Sequence, residues 1–184
     1  MTPPPLAPSA STDTWRLPPR AVLLAAVLLL VTAGISGASM SRYKLELARW
    51  ARTGMLAHPA VHGLVGVRDV DEQALDEALF RFDTGLRLFH MHAEGMALVV
   101  LATTTVAATL ARAAVTRRAL IVLLTVGGVG YPLGYLIWSA LIPSYGVERS
   151  KAIAEWLVWI PFGGATIVAL LSLAALTATR MARR

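Results

Sequence analysis

The chain has 184 residues, 56% of them hydrophobic and 15% charged, and because soluble domains average about a quarter charged residues this composition indicates a membrane protein. No cysteine is present, which excludes disulfides, thiolate metal ligands, c-type haem attachment and cysteine nucleophiles. The 17 Lys and Arg residues outnumber the 11 Asp and Glu residues, but they cluster at the ends of apolar runs, as in membrane proteins. The sequence has no basic face with interleaved aromatics, so we expect no nucleic-acid partner.

The chain begins with a polar, proline-rich segment, and the first apolar run follows it. Residues 1–19 contain six prolines and little apolar surface, which predicts a disordered tail. Residues 21–40 are uncharged and long enough to cross the roughly 30 Å hydrocarbon core as a helix. Ser36-Gly37-Ala38 has the small residues of a signal-peptidase site, but the run exceeds the about 7–15 apolar residues of a cleaved signal. We therefore expect a retained anchor, in which Gly37 is one of several small residues whose spacing allows close helix contact.

Residues 41–85 are predicted to leave the membrane as an amphipathic outer segment. From Tyr43 onwards, aromatic and leucine residues recur at helical spacing among basic residues, so the first helix should continue through the interface and end at Gly54. A loop or short proline-started turn follows, and it carries His58 and His62. A second amphipathic helix is predicted between this turn and the next apolar run.

Three further apolar runs are predicted to span the membrane. They cover residues 86–111, 119–142 and 156–179, and each is long enough for a transmembrane helix. Gly130 and Gly134 in the third span are four residues apart, a spacing that lets two helices approach closely. We assign these two glycines to helix packing.

Basic residues in the loops predict the orientation of the chain. With the N-terminus inside, the cytoplasmic segments hold eight arginines against one acidic residue, Asp13. The positive-inside rule therefore places both termini in the cytoplasm and residues 41–85 outside the cell (inner) membrane. The eight arginines are Arg16, Arg20, Arg112, Arg117, Arg118, Arg180, Arg183 and Arg184.

The predicted fold class is all-α, a multi-pass four-transmembrane-helix bundle in which residues 20–184 form one domain.

Under this topology all four histidines lie on the outer side, and two of them stand with a carboxylate at the start of the second span. His90 and Glu94 are four residues apart and share a helix face, whereas His92 lies about 200° around the helix from His90. Arg87 precedes His90 by one turn and is a candidate partner for Glu94 or for lipid headgroups. Because a charge in lipid costs several kcal/mol, Glu94 is expected to face the bundle interior, to pair, or to be neutral.

Three kinds of chemistry fit this group of residues. His90, Glu94 and one of the loop histidines, His58 or His62, would provide three ligands for zinc, copper or another divalent ion. His92 or His90 would serve as an axial ligand of a b-type haem. His90 and Glu94 would form a proton relay, with Glu94 as its buried carboxylate.

The non-functional interpretation of the same residues is simpler. The histidines would be interfacial or solvated side chains, and Glu94 would make one hydrogen bond that specifies how the helices assemble. Its candidate partners in the third span are Thr125, Tyr131, Tyr135 and Ser139.

The functional hypotheses follow from these alternatives. The first is a redox or metal-handling accessory protein whose His/Glu cluster binds a metal ion or haem. The second is a cofactor-free structural or assembly subunit of a larger membrane complex or homo-oligomer, held through its glycine-rich third span and outer helices. The third is a small proton- or ion-coupled carrier. No hydrolase, metalloprotease or phosphate-binding motif occurs, so we do not expect an enzyme from this chain alone.

The layout also carries a resemblance, through His90-Met91-His92 and the preceding Thr53-Gly54. The chain resembles a group of small, uncharacterised four-span bacterial membrane proteins with an amphipathic outer segment and a His-x-His near the start of the second span. The resemblance covers most of the chain in topology but only these few residues in motif. It implies a four-span membrane fold and no particular activity.

Overall fold

A computed structural model describes residues 15–182, and every regular element in this range is helical. Besides the α-helices there are a 3₁₀ turn at Pro59–His62 and a π-helical segment at Glu155–Gly163. The α-helices are α1 (Arg20–Arg42), α2 (Lys44–Ala57), α3 (Arg68–Leu110), α4 (Ala114–Tyr145), α5 (Val147–Ala154) and α6 (Gly164–Met181).

Four helical runs in this range are long and apolar enough to cross a membrane, as predicted. They are α1, α3, α4 and the continuous run Val147–Met181, which joins α5, the π-helical segment and α6. The predicted spans at 21–40, 86–111, 119–142 and 156–179 coincide with these runs, apart from Ala111 just beyond α3. Residues 15–182 are therefore all-helical, with the pattern of apolar helices that is typical of a membrane protein.

The chain before α1 is described only from Trp15 onwards. Residues 1–14 of the predicted disordered tail lie outside the described residues. From Trp15 to Pro19 the backbone is not helical, and the Arg16 N–H donates to Thr109 Oγ1 at 3.0 Å. This contact ties the beginning of α1 to the end of α3.

The second apolar run is not a separate helix, because it continues the predicted outer amphipathic helix without a break. α3 has 43 residues, which at 1.5 Å per residue gives a length of about 64 Å. This is about twice the roughly 30 Å thickness of a hydrocarbon core. The first half of α3 therefore extends well beyond its apolar half.

The first helix continues into the outer segment as predicted, but its end was predicted wrongly. α1 stops at Arg42, and after a break at Tyr43 the chain continues as α2 through Gly54 to Ala57. A Cβ at Gly54 would lie 2.8 Å from Pro143 Cβ. Gly54 therefore lets α2 lie close against α4 instead of ending the helix.

α2, the first half of α3, the second half of α4, and α5 form a helical unit with its own apolar core, here called the cap. Its core is separate from the clusters between the apolar halves of the helices. The fully or almost fully buried members of the cap core are Ala51, Met55, Leu75, Ala78, Phe82, Trp138, Ile142 and Ala154.

The crossing of α3 and α4 at the edge of the cap is close because Gly85 has no side chain. A Cβ at Gly85 would lie 2.8 Å from Ser139 Cβ. Ser139 is completely buried, and its hydroxyl donates to the Phe82 carbonyl oxygen at 2.6 Å. This hydrogen bond fixes the register of the two longest helices.

Gly130 and Gly134 pack within the chain. A Cβ at Gly130 would lie 2.5 Å from Phe162 Cδ1, and one at Gly134 would collide with Trp159 Nε1. Phe162 and Trp159 belong to the π-helical segment, in which Pro161 removes an N–H from the helix ladder. The face of α4 formed by Gly130 and Gly134 is therefore covered by the protein's own π-helical segment and is not free to contact a partner.

We predict that Gly130→Leu destabilises the folded protein by about 1–3 kcal/mol, because the larger side chain overpacks the contact with Phe162. Thermal unfolding in detergent measures the effect as a lowered midpoint. Gly34→Leu is the matched control, since a Cβ at Gly34 meets nothing within 4 Å. Equal midpoints for the two variants would show that the α4 contact is not close.

Candidate functional site

His90 is held between α3 and α1 by its ring nitrogen and by a glycine opposite it. Nδ1 lies 2.9 Å from the Ala33 carbonyl oxygen, and since a carbonyl only accepts, Nδ1 carries the proton. A Cβ at Gly37 would lie 2.7 Å from His90 Cε1. The lack of a side chain at Gly37 therefore makes the space that the imidazole occupies.

His92 faces the opposite neighbour, α4, as its position on the helix predicts. Its Nδ1 donates to the Leu88 carbonyl oxygen at 2.8 Å, and its ring stacks on Tyr135 with centroids 4.5 Å apart. The hydroxyls of Tyr131 and Tyr135 lie 3.0 Å apart. Tyr135 in turn contacts Trp159, at 4.9 Å between centroids. His92 thus belongs to an aromatic cluster and not to the His90 group.

Glu94 lies at the surface of the chain beside His90. Its side chain is 50% exposed, and its Oε1 lies 3.7 Å from His90 Nδ1. The side chains of α3 that face the neighbouring helices near Glu94 are those of Phe89, Ala93 and Ala97, each at most 1% exposed. Glu94 follows Ala93 by one residue, so its side chain lies about 100° around the helix from this buried face. It shares a face with His90 as predicted, but it does not enter the interior.

The hydrogen-bond partners proposed for Glu94 are engaged elsewhere. Arg87 pairs with Asp83, its Nε 2.8 Å from Asp83 Oδ2. Thr125 donates to the Ile121 carbonyl oxygen, and Ser139 to that of Phe82. Tyr131 and Tyr135 bond to each other. In the part of the chain that the structure describes, His90 is thus the side chain that lies beside the Glu94 carboxylate.

The loop histidines also bond to backbone carbonyls. His58 Nδ1 donates to the Gly54 carbonyl oxygen at 2.9 Å, and His62 Nε2 to that of Pro143 at 3.1 Å. His62 lines an open cavity of about 400 Å³ together with Ala78. Since Ala78 precedes His90 by twelve residues, His62 lies about 18 Å from His90 along α3.

The structure therefore does not bring the four predicted metal ligands together. His58 and His62 lie at the cap, whereas His90 and Glu94 lie further along α3, in its apolar half. Because metal–ligand bonds are about 2 Å long, one ion cannot join the two pairs. Within residues 15–182, no group of three or more His, Asp or Glu side chains is placed to hold a metal ion. The pair that is assembled is His90 with Glu94.

The contact partners of two residues in this region were not predicted. Gly37 was expected to allow close helix contact, but its partner, the ring of His90, was not predicted. The second residue is Trp159, whose indole packs on Tyr135 and whose buried Nε1 has no hydrogen-bond partner within residues 15–182. A helical pattern does not reveal either contact, because the partners are distant in sequence.

The chain matches no protein-family model, and no curated protein or solved structure is significantly similar to it. His58, His62, His90 and His92 all donate to backbone carbonyls. Glu94 is an ionisable side chain within an apolar run, and it faces outwards beside an open glycine, Gly95.

We predict that the effect of Gly37→Ala on the free energy of unfolding reverses sign when His90 is removed. Alone, the substitution should destabilise by about 1–3 kcal/mol because its methyl group displaces the imidazole. In the His90→Ala background it should stabilise by about 0.5–1 kcal/mol, the usual gain of replacing a helical glycine by alanine. Equilibrium unfolding of the four proteins measures both values. The same effect in both backgrounds would contradict the contact between Gly37 and His90.

Proposed function

We propose that this chain is an integral membrane protein that crosses the bilayer four times and serves as a cofactor-free assembly subunit of a membrane complex. Both termini lie in the cytoplasm, and the cap stands on the outer face of the cell membrane. The apolar lengths of the four helical runs and the arginines at their cytoplasmic ends support this placement. The single observation that carries the functional proposal is the exposure of Glu94.

Glu94 lies within the apolar half of α3. The helix ends at Leu110, so Glu94 is 16 residues, or about 24 Å, from that end. With α3 entering the bilayer near Leu110, a hydrocarbon core of roughly 30 Å includes Glu94 in its outer part. The 50% exposure of its side chain is therefore exposure to lipid.

Lipid is a poor environment for this carboxylate. Ionisable side chains in transmembrane segments usually face the interior of the protein or pair with another polar group, because charge in lipid costs several kcal/mol. The interior position is taken by Phe89 and Ala93. His90 Nδ1 is 3.7 Å away and already donates to Ala33. A group from outside the chain is what remains to satisfy Glu94.

The surface around Glu94 has the form of a helix contact. It consists of one exposed stripe of α3, and its flanking side chains Met91 and Leu98 are 62% and 61% exposed. A Cβ at Gly95 would meet nothing within 4 Å, so a partner helix can approach the backbone at Gly95 closely. The exposed stripe comprises Met91, Glu94, Gly95, Leu98 and Ala102. It is apolar except for the carboxylate that needs a partner.

We predict that a photoreactive amino acid at Leu98 gives a light-dependent adduct with protein in intact membranes, because a partner helix covers the exposed stripe. Denaturing electrophoresis separates the adduct, and mass spectrometry then identifies it. Ile167 on α6 is the control position, since it is 59% exposed and lies about 21 Å from the end of α6. Lipid adducts alone at both positions would refute the proposal.

A metal or haem site completed by a partner is the second candidate function. It is supported by one observation: His90 and His92 both donate from Nδ1 to a backbone carbonyl, which leaves Nε2 as a lone-pair donor. Metal-binding histidines usually have this second hydrogen bond. In this case His90 and Glu94 would be the contribution of this chain, and the remaining ligands would come from elsewhere.

Metal content of the complex separates the two candidates. After extraction without chelators, a cofactor-free assembly subunit should contain no stoichiometric metal, and His90→Ala should leave the metal content unchanged. Elemental mass spectrometry of wild type and variant measures it. About one metal ion per chain that is lost in His90→Ala would establish the second candidate in place of the first.

A further inference from the structure

We infer that a cavity between α2 and α3 binds the headgroup of one phospholipid with a primary amine, phosphatidylethanolamine, from the outer leaflet of the bilayer. The cavity has a volume of about 290 Å³, close to the lower end of the about 300–1,000 Å³ of small-molecule sites. The inference rests on the membrane placement in the proposed function, and it does not involve the exposed stripe of α3. Three features carry it: the level of the cavity, its mixed lining, and the signs of its charges.

The cavity lies at the level where α1 and α3 leave the hydrocarbon core. Met40 lines it from α1 and is 20 residues, or about 30 Å, from the start of that helix at Arg20. Leu86 lines it from α3 and is 24 residues, or about 36 Å, from the end of that helix at Leu110. The core is roughly 30 Å thick, and headgroups extend about 5–7 Å beyond it on each side. Both helices therefore place one end of the cavity among the outer headgroups.

The lining of the cavity combines an apolar floor with a charged rim. Phe82 in the floor is 4% exposed and belongs to the cap core, and Leu47 and Leu79 pack against that core. Lys44 and Asp76 in the rim are exposed. A few charged groups in a mostly apolar lining are what orients a bound molecule. An amphiphile uses both parts of this lining, whereas a small soluble ion would leave the apolar floor in contact with water.

The charges of the rim have the signs that a zwitterion requires. Lys44 lies on α2, and Asp76 and Asp83 lie across the cavity on α3. Within residues 15–182, no ion pair includes Lys44 or Asp76. Asp83 uses Oδ2 to pair with Arg87, which leaves Oδ1 as an acceptor. A lipid phosphate can thus bind the Lys44 ammonium while the lipid ammonium donates to the carboxylates of α3.

The same charges discriminate between headgroups. Phosphatidylglycerol offers a phosphate to Lys44 but no cation, so it would bring a further negative charge beside Asp76 and Asp83. The choline group of phosphatidylcholine is a cation without an N–H group, so it cannot donate to either carboxylate. The primary ammonium of phosphatidylethanolamine has three N–H donors, as a lysine side chain does. Of these three lipids, phosphatidylethanolamine alone satisfies both sides of the rim.

Lipid binding to the full chain tests this inference. The protein is delipidated in detergent and titrated with phosphatidylethanolamine, phosphatidylglycerol or phosphatidylcholine of identical acyl chains, and native mass spectrometry counts the bound lipids. We expect one phosphatidylethanolamine per chain, bound about tenfold more tightly than either other lipid. Lys44→Gln and Asp76→Asn should each weaken its binding about tenfold, because each variant loses a hydrogen bond between charged groups.

Two matched variants control for a general effect of charge. Lys151 is the other lysine of the chain and Asp69 is in the first turn of α3; both are exposed and neither lines the cavity. Lys151→Gln and Asp69→Asn should therefore bind phosphatidylethanolamine as the wild type does. Ala48→Trp is a second test, because Ala48 lines the cavity and the indole would fill it without changing any charge. This variant should lose the lipid.

Four results would overturn the inference. They are equal binding by Lys44→Gln and Lys151→Gln, full binding by Ala48→Trp, a preference for either of the other lipids, and displacement of the bound lipid by an equal concentration of soluble phosphoethanolamine. The assembly role is tested separately at Leu98. Lipid adducts alone at Leu98 would refute that role and leave selective lipid binding intact, whereas a protein adduct at Leu98 without selective lipid binding would refute only this inference.

Discussion

Close contact at glycines determines how the helices of this chain lie against one another. Gly85 admits Ser139, Gly37 admits the ring of His90, and Gly134 admits the indole of Trp159. Because interiors are close-packed, each of these contacts allows little sliding of one helix along its neighbour. At two of these contacts, His90 and Ser139 donate to backbone carbonyls of the neighbouring helix. The histidines consequently act as links between or within helices and do not converge on one centre.

This packing leaves Glu94 outside. The buried face of α3 is formed by Phe89, Ala93 and Ala97, and the space beside His90 opens towards the surface of the helix pair. A carboxylate in this position has no structural task within the described chain, yet it lies in an apolar helix where its presence is costly. Assembly with another membrane helix explains both facts at once, and it needs no cofactor.

Local patterns in the sequence predicted the features that depend only on helix geometry. The four apolar runs, the shared face of His90 and Glu94, and the opposite direction of His92 follow from helix length and from 100° per residue. A helical pattern groups residues by face but does not say which face is inward, so the direction of Glu94 was not predictable. The end of α2 was misplaced because Gly54 serves a contact with Pro143, which is distant in sequence.

The central claim is that protein covers the exposed stripe of α3 inside the hydrocarbon core. A spin label on Gly95→Cys, in membrane patches extracted without detergent, tests this claim through its collisions with oxygen and with a water-soluble nickel complex. The account predicts low accessibility to both reagents at residue 95 and high accessibility to oxygen for the same label at Ile167. High oxygen accessibility at residue 95 would mean bare contact with lipid, high nickel accessibility would place Glu94 in water, and either result would contradict the account.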